Sequence, residues 1–327
     1  MLTSVPVIDL APYFAGTPTG KKAVAAQVAS AAEDIGFFKI ANHGIPLSQI
    51  EEVFRTAAEF FRQPEAIKAD VRAPRSGSAR GWHALATKNL AKTIGQNNPP
   101  DLREQFYLGP LVSRAAEFAH IAGTADLYAD NIWPATPPAF RPVFTTYYAA
   151  LEDLSRSLMR IFALALDQPE RFFDDKIDRH FSTLPSNWYP EQADDPLPNQ
   201  VRAGEHTDFG SLTILAVNAR AGGLQVRLRD GAWADVTAEP GEYIINIGDM
   251  MQRWTNDRWL SNLHRVVNPP KSARTTDRRM SISYFLHPNY DAEIACLPSC
   301  TGPDNPAKYP PVRAGDMMRR KLEARAA

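Results

Sequence analysis

Three side chains in the second half of the chain have the types that bind a transition metal, namely His206, Asp208 and His264. Two imidazoles and one carboxylate on one face of an iron(II) ion leave its other coordination positions open for further ligands. Because Asp208 follows His206 by two positions, both side chains point to the same side of an extended strand. His264 can reach the same metal site from a distant strand of the fold. The pattern predicts a mononuclear non-haem iron site with these three residues as metal ligands and catalytic centre.

A second polar pair, Arg279 and Ser281, has the same spacing of two. The planar guanidinium of arginine binds a carboxylate through two charge-assisted hydrogen bonds, and a serine hydroxyl adds another donor. Tyr189 supplies a further hydroxyl, and Asn187, two positions earlier, faces the same way on a strand. These four residues predict a site for the distal carboxylate of a keto acid such as 2-oxoglutarate.

In the first half of the chain, the elements predicted to position these residues are a mixture of helices and strands. Apolar residues at helical spacing predict helices, and short apolar or alternating runs predict strands. Ser48 and Glu51 form a capping-box pattern that opens the second helix. Residues 64–100 are predicted to be irregular and residues 109–138 rich in loops. The predicted elements are strand Val5–Asp9, helix Lys21–Ile35, strand Phe37–Ala41, helix Ser48–Phe61, strand Gln105–Leu108 and helix Phe140–Asp167.

The second half changes in character after about residue 184, where short apolar or alternating runs are separated by Gly, Pro, Asn and Asp. Such spacing is typical of a β-sandwich or jelly roll. The predicted strands are Leu184–Tyr189, Leu212–Asn218, Leu224–Arg227, Trp233–Val236, Tyr243–Ile247, Leu263–Val267 and Met280–Phe285.

We therefore predict an α+β fold, a distorted double-stranded β-helix (jelly roll) core with flanking helices. The predicted division is an N-terminal helical and strand region over residues 1–115 and a helical support segment over residues 116–180. The jelly-roll core follows over residues 181–290, and a C-terminal tail covers residues 291–327. All four parts are expected to form one compact unit.

Composition narrows the class of partner. The net charge is -1, so the chain has no overall basic field to collect nucleic acid or anionic lipid. Its two cysteines form neither a disulfide framework nor a complete zinc site. We see no signal peptide and no apolar stretch long enough to span a membrane. These features predict a cytoplasmic protein, monomeric or weakly homo-oligomeric, whose partner is a small molecule.

Several motifs, in this order, resemble the isopenicillin N synthase-like branch of the iron(II)/2-oxoglutarate dioxygenase superfamily. The resemblance covers nearly the whole chain. Its motifs are Val5–Asp9, Gly36–Pro46, Asn187–Pro190, His206–Leu215, Gly222–Val226, Asn246–Asp249, Thr255–Asn256, Leu263–Val266 and Arg279–Ser281. It implies a jelly-roll fold with the iron bound inside its open end. It assigns iron to His206, Asp208 and His264, and 2-oxoglutarate to Arg279, Ser281 and Tyr189.

The implied activity is oxidation of a small molecule by Fe(II), 2-oxoglutarate and O2, with decarboxylation of 2-oxoglutarate to succinate. Hydroxylation, desaturation, epoxidation and oxidative ring closure are all possible outcomes, and many members serve biosynthesis. Isopenicillin N synthase keeps the Arg-x-Ser pair without using 2-oxoglutarate, so such an oxidase is one alternative. A non-catalytic jelly-roll binding module is another. Because the insert before Arg279 is long for this family, Arg274 is an alternative clamp.

Family position and side-chain type indicate where the substrate binds. Two arginines among aromatic surfaces would suit a polar or anionic small molecule. The candidate pocket residues are Arg80, Trp82, His83, Gln105, Tyr107, Phe209, Arg253 and Phe285.

Overall fold

The helices are few and uneven in length. The computed structural model describes residues 5–75, 77–121, 123–192, 194–218, 222–273 and 278–326. Within these ranges the α-helices are α1 (Ala11–Phe14), α2 (Pro18–Asp34), α3 (Leu47–Phe61), α4 (Glu65–Ala69), α5 (Ala115–Phe118), α6 (Phe140–Ala165), α7 (Asp249–Trp254) and α8 (Ala314–Ala326). None of the described helices is long and apolar enough to cross a membrane.

The strands are short and mostly antiparallel. They are β1 (Val7–Asp9), β2 (Phe37–Ala41), β3 (Gly81–His83), β4 (Glu104–Leu108), β5 (Leu184–Tyr189), β6 (Ala203–His206), β7 (Leu212–Val217), β8 (Leu224–Arg227), β9 (Trp233–Asp235), β10 (Tyr243–Ile247), β11 (His264–Val266), β12 (Arg279–Leu286), β13 (Glu293–Ile294) and β14 (Val312–Arg313). The larger sheet has the order β1-β2-β10-β7-β12-β5-β4-β3, and a smaller sheet has the order β6-β11-β8-β9.

The larger sheet has two faces with different partners. Alternate residues such as Ile214, Ile245 and Ile282 join the main core that includes α2, α3 and α6. The residues between them point the other way, and Leu215 and Ile244 pack against Val226 and Val266 of the smaller sheet. Period-two alternation thus separates a helix-facing side from an inner side that lies between the sheets. The predicted α+β class, two packed sheets with flanking helices, is confirmed.

The long periodic elements match their predictions closely. Helices α2, α3 and α6 and strands β2, β5, β8 and β10 lie where the patterns place them, within a few residues at the ends. The capping box is wrong, because α3 begins at Leu47 after Pro46 and Ser48 lies inside its first turn. The stretch predicted to be irregular contains α4, β3 and the 3-10 helix Ala91–Ile94.

The N-terminal region is built into the larger sheet. Strands β1 to β4 all come from residues 1–115, and they form both edges of that sheet. The β4 strand pairs with β5, and β2 pairs with β10, so this region extends the jelly roll on both sides. The inner face therefore includes side chains from both halves of the chain.

Candidate metal centre and co-substrate pocket

The three predicted metal ligands come together at the edge between the sheets. His206 ends β6 and lies directly opposite His264 on β11. Asp208 lies just after β6 rather than within it, so the predicted extended pair ends at His206. Ligand atoms from the three residues all lie within 4.8 Å of one another. The Nε2 atoms of His206 and His264 are 3.8 and 3.7 Å from Asp208 Oδ1.

The loop that carries Asp208 is held by close backbone contacts. Asp208 O accepts a hydrogen bond from Asp249 N at 2.8 Å, and Gly248 N donates to Ser211 O at 3.0 Å. A Cβ atom at Gly248 would collide with the Gly210 carbonyl, so only glycine fits there. This packing fixes the turn between β6 and β7 that places the carboxylate.

Each ligand side chain is oriented by a second hydrogen bond. His206 Nδ1 contacts Gly204 O at 2.7 Å, and His264 Nδ1 contacts Asn262 O at 3.1 Å. A carbonyl only accepts, so Nδ1 carries the proton in both rings and Nε2 keeps its lone pair for a metal.

The carboxylate is oriented in the same way. Asp208 Oδ2 accepts hydrogen bonds from Thr213 at 2.6 Å and from Asn246 at 2.8 Å. Both partners use donor groups on this oxygen, so Oδ1, the atom that faces the two histidines, is the one available to a metal.

Charge states at the centre also suit a cation. Burial, with a smaller contribution from His264, lowers the pKa of His206 to about 3, so the imidazole is neutral near pH 7. Burial opposes ionisation of Asp208, but the neighbouring histidines and the bonds from Thr213 and Asn246 lower its pKa below the usual value. Two imidazoles and one carboxylate form the donor set expected for iron(II).

A buried guanidinium lies on the inner face of β12. Arg279 is 1% exposed, and its Nη1 lies 3.4 Å from Ser281 Oγ. Its Cζ is 4.8 Å from the ring centroid of Tyr189, its register partner on β5. Burial lowers the pKa of Arg279, and the nearby Arg202 adds to this effect.

Arg279 has no counterion among the residues that the structure describes. No described carboxylate forms an ion pair with it, and its Nε has no described hydrogen-bond partner. An unpaired buried charge is costly, so this guanidinium is suited to an anionic ligand. The alternative clamp, Arg274, lies outside the described residues.

The predicted substrate residues divide between the two faces of the sheet. His83, Gln105 and Asn187 are direct neighbours across β3, β4 and β5, on the inner face with Ser281. Tyr107 follows Gln105 by two positions, and the centroids of the Tyr107 and His83 rings are 5.5 Å apart. Phe285 lies opposite Thr213, one of the residues that hold Asp208.

Phe209 lies next to the predicted metal ligand Asp208 and close to α8. It directly follows Asp208, is partly buried, and has Lys321 Nζ of α8 5.4 Å from its ring centroid.

Three of the predicted substrate residues have other partners. Trp82 packs in the helix-facing core. Arg253 donates to Pro310 O and lies over the ring of Tyr309. Arg80 donates to three backbone carbonyls, those of Ala79, Leu127 and Ala129. These contacts give Arg80, Trp82 and Arg253 partners within the protein, and the expectation that they line the substrate pocket stays a prediction.

Two residues that support the site received no role from the sequence. Thr213 and Asn246 are the polar inner-face residues of β7 and β10, strands that are otherwise apolar. The sequence signal for their role was a single polar residue in an otherwise apolar strand, because a buried polar group needs a hydrogen-bond partner. Arg103 was missed as well, and it donates to Asn187 Oδ1 at 3.3 Å.

Two family models cover most of the chain. A model described as the non-haem dioxygenase in morphine synthesis N-terminal region matches residues 5–136. The model of the 2OG-Fe(II) oxygenase superfamily matches residues 179–288, the segment that contains the three predicted metal ligands and Arg279. A 2-oxoglutarate-Fe(II) type oxidoreductase, hxnY of Emericella nidulans, is 34% identical over 97% of this chain and 89% of its own length. The chain belongs to the 2OG-Fe(II) oxygenase superfamily.

Other members of the superfamily agree over almost the full length. Validamycin A dioxygenase of Streptomyces hygroscopicus subsp. limoneus is 30% identical over 98% of this chain and 86% of its own length. A full-length Neurospora crassa protein, crystallised with alpha-KG, has a TM-score of 0.85 at 29% identity, and the match covers 99% of each chain. A 2OG-Fe(II) oxygenase family protein of Caulobacter crescentus has a TM-score of 0.84 at 28% identity and covers 98% of this chain and 99% of its own.

These comparisons confirm the predicted family, enzyme class and cofactors. This 2OG-Fe(II) oxygenase is an oxidoreductase that uses Fe(II), 2-oxoglutarate and O2. The jelly-roll core expected from the strand pattern is the fold of its structural neighbours.

Proposed function

We propose that His206, Asp208 and His264 hold the Fe(II) of this oxygenase. The observation that carries this proposal is the convergence of their three ligand atoms within 4.8 Å. The bonds at His206 Nδ1, His264 Nδ1 and Asp208 Oδ2 support it, because they leave one free ligand atom per residue on the side that faces the other two. This donor set fits iron(II) and leaves coordination positions for other ligands.

The same proposal assigns the distal carboxylate of 2-oxoglutarate to Arg279. Its guanidinium is buried and without a described counterion, and the hydroxyls of Ser281 and Tyr189 lie on the same inner face. Asn187, the register partner of Ser281, supplies an amide next to this clamp. A dianionic co-substrate would offset the cost of burying Arg279.

Bound iron supplies the activation of dioxygen, which couples decarboxylation of 2-oxoglutarate to oxidation of a substrate C–H bond. The chain's own residues orient the reactants and exclude water. Thr213 and Asn246 keep the Asp208 carboxylate turned so that Oδ1 faces the histidines. We propose a small organic molecule as substrate, contacted by inner-face residues such as Gln105, Tyr107 and Phe285, in a monomeric or weakly associated cytoplasmic enzyme.

Iron affinity tests the ligand assignment. We expect His206→Ala, Asp208→Ala and His264→Ala each to weaken Fe(II) binding under anaerobic conditions by more than roughly 100-fold, the upper range for loss of an outer-shell partner. His120→Ala is the control, because that histidine is exposed. Unchanged iron affinity in any of the three variants would exclude that residue as a ligand.

A further inference from the structure

A row of polar side chains crosses the inner face of the larger sheet. Ser281 on β12 pairs with Asn187 on β5, Asn187 pairs with Gln105 on β4, and Gln105 pairs with His83 on β3. All four side chains are buried. Directly paired residues point to the same face, so the row runs from the proposed co-substrate clamp towards the β3 edge of the sheet.

The hydrogen bonds along this row have one possible direction. Arg103, which can only donate, gives a hydrogen bond from Nη1 to Asn187 Oδ1 at 3.3 Å. Asp101 holds the other end of that guanidinium at 3.2 Å. Asn187 Oδ1 is therefore an acceptor, and Gln105 Nε2 donates to the same oxygen at 2.7 Å. Turning the Gln105 amide over would place two oxygens together, so its Oε1 must face away from Asn187.

That oxygen is a buried acceptor without a donor among the described residues. Gln105 is 2% exposed, and no described residue donates a hydrogen bond to Oε1. Buried polar atoms in folded proteins almost always have partners, and an unmet acceptor is unfavourable. Phe106 and Trp188, the neighbours along and across the strand, belong to the helix-facing core, so Gln105 projects to the inner face with Arg279.

We propose that Gln105 Oε1 accepts a hydrogen bond from an N–H or O–H group of the substrate. The substrate is then a neutral or cationic small molecule with a hydrogen-bond donor, such as an amide, a lactam or an alcohol. A substrate carboxylate at this position would face an oxygen acceptor and be repelled. This assignment rests on the proposed function, since it places the substrate on the same inner face as the co-substrate.

The surroundings of Gln105 fit such a group. Tyr107 lies two positions further along β4, and its ring forms an edge contact with His83 at an interplanar angle of 77°. Lys88 Nζ lies 4.0 Å from the centroid of the Tyr107 ring. An aromatic wall beside an unpaired acceptor suits a small, partly apolar molecule with a donor group, because the wall contacts its apolar part while the amide sets its orientation.

Paired ligands test the acceptor directly. The probes are 2-pyrrolidinone, 2-piperidone, glutarimide and uracil, each compared with its fully N-methylated derivative, which for uracil is 1,3-dimethyluracil. Binding is measured by calorimetry and ligand-observed NMR to the full chain with Fe(II) and 2-oxoglutarate, without dioxygen. We expect wild type to bind N–H probes at least about tenfold more tightly than their methylated partners, because methylation removes the donor and leaves Oε1 unpaired.

Variants link that preference to one side chain. Gln105→Leu removes the acceptor, and we expect the preference to fall to within about twofold. Gln27→Leu, on the exposed face of α2, is the control and behaves as wild type.

The outcomes separate this inference from the proposed function. The visible charge-transfer band of iron-bound 2-oxoglutarate is recorded in the same samples, and its absence from wild type would contradict the co-substrate site. With the band present, three results would each overturn the acceptor role alone. They are no N–H preference in wild type, an undiminished preference in Gln105→Leu, and no binding of any N–H probe at millimolar concentration.

Discussion

The proposed iron ligands each depend on a neighbouring group that fixes their orientation. For Asp208 these groups are Thr213 and Asn246, both bonded to Oδ2. Removing such a partner leaves the ligand in place but lets the carboxylate rotate. The affinity for metal therefore measures this support separately from the ligand itself.

Thr213→Val tests that support with almost no change in volume. We expect Fe(II) affinity to fall by roughly 10–100-fold, because Asp208 loses its 2.6 Å hydrogen bond. Anaerobic calorimetry with Fe(II) measures it. Thr146→Val on the exposed side of α6 is the matched control and should bind iron as wild type does. Equal iron affinity in the two variants would show that Thr213 does not orient the ligand.

Two adjacent arginines provide a matched pair for the co-substrate clamp. Arg279 is buried, whereas the side chain of Arg278 is 51% exposed and pairs with Glu191 at 2.8 Å. We expect Arg279→Met to weaken 2-oxoglutarate binding by roughly 30-fold or more, since it truncates one side of a desolvated ion pair. Arg278→Met should change it little. Anaerobic titration of 2-oxoglutarate measures both, and a larger loss in Arg278→Met would reverse the assignment.

Pairs of polar residues two positions apart indicated the candidate ligands of the metal and of the co-substrate. The same spacing gave less information about the substrate pocket. His206, Asp208, Arg279 and Ser281 could be selected because their chemical types are specific. Trp82 and His83 could not be separated, since alternation assigns faces only when the strand is known. The β3 strand has three residues, too few to show a period in the sequence.

Among the secondary-structure elements, the first two helices are joined through Glu170 to the turn that follows α6. Its carboxylate accepts hydrogen bonds from Tyr13 of α1 at 2.8 Å and Lys21 of α2 at 2.7 Å. The bond from Lys21, and then that from Tyr13, lowers the pKa of Glu170 below its ordinary value of 4.5, although partial burial opposes the shift. The contact therefore adds a pH-dependent contribution to stability.

The sign of that dependence follows from the lowered pKa. The folded state favours the carboxylate, so the contact stabilises the protein above the ordinary glutamate pKa and is lost as pH falls through the folded value. We expect the melting temperature of Glu170→Gln to lie below wild type at about pH 6, and the difference to shrink as the pH falls below the ordinary glutamate pKa. Glu59→Gln, exposed on α3, serves as the control. A difference that grows on acidification would contradict this account.

Long elements could be predicted because they carry their own periodicity. Helix α6 keeps an apolar face over 26 residues, and tertiary packing only adjusts its ends. Short elements depend on partners far along the chain. The β3 strand is fixed by Trp82 N donating to Val71 O at 2.8 Å and by pairing with β4, contacts with no local signature. The capping box failed because Pro46 already provides the extended residue before the helix.

For the whole molecule, the inner face of the larger sheet is built from strands of both halves of the chain. Strands β1 to β4 complete the larger sheet, and α2, α3 and α6 cover its outer side. The N-terminal region and the jelly-roll core are thus separate segments of the sequence. In the structure they share one sheet and one core. We expect them to fold together as one unit.

A fragment of residues 181–290 tests this expectation. It lacks four strands of the larger sheet and the helices that cover it. We expect it to show no cooperative thermal transition and to bind a hydrophobic dye, whereas the full chain unfolds cooperatively. A sharp transition with native-like near-ultraviolet circular dichroism in the fragment would show that the core folds alone.

The central claim is that one buried centre binds iron through three side chains and 2-oxoglutarate through Arg279. An anaerobic titration of metal-free protein, first with Fe(II) and then with 2-oxoglutarate, tests it most directly. We predict that the visible charge-transfer band of the chelated keto acid appears only after both additions. It should be lost in Asp208→Ala and require far more 2-oxoglutarate in Arg279→Met. Iron binding without this band, or an unchanged band in Asp208→Ala, would contradict the account.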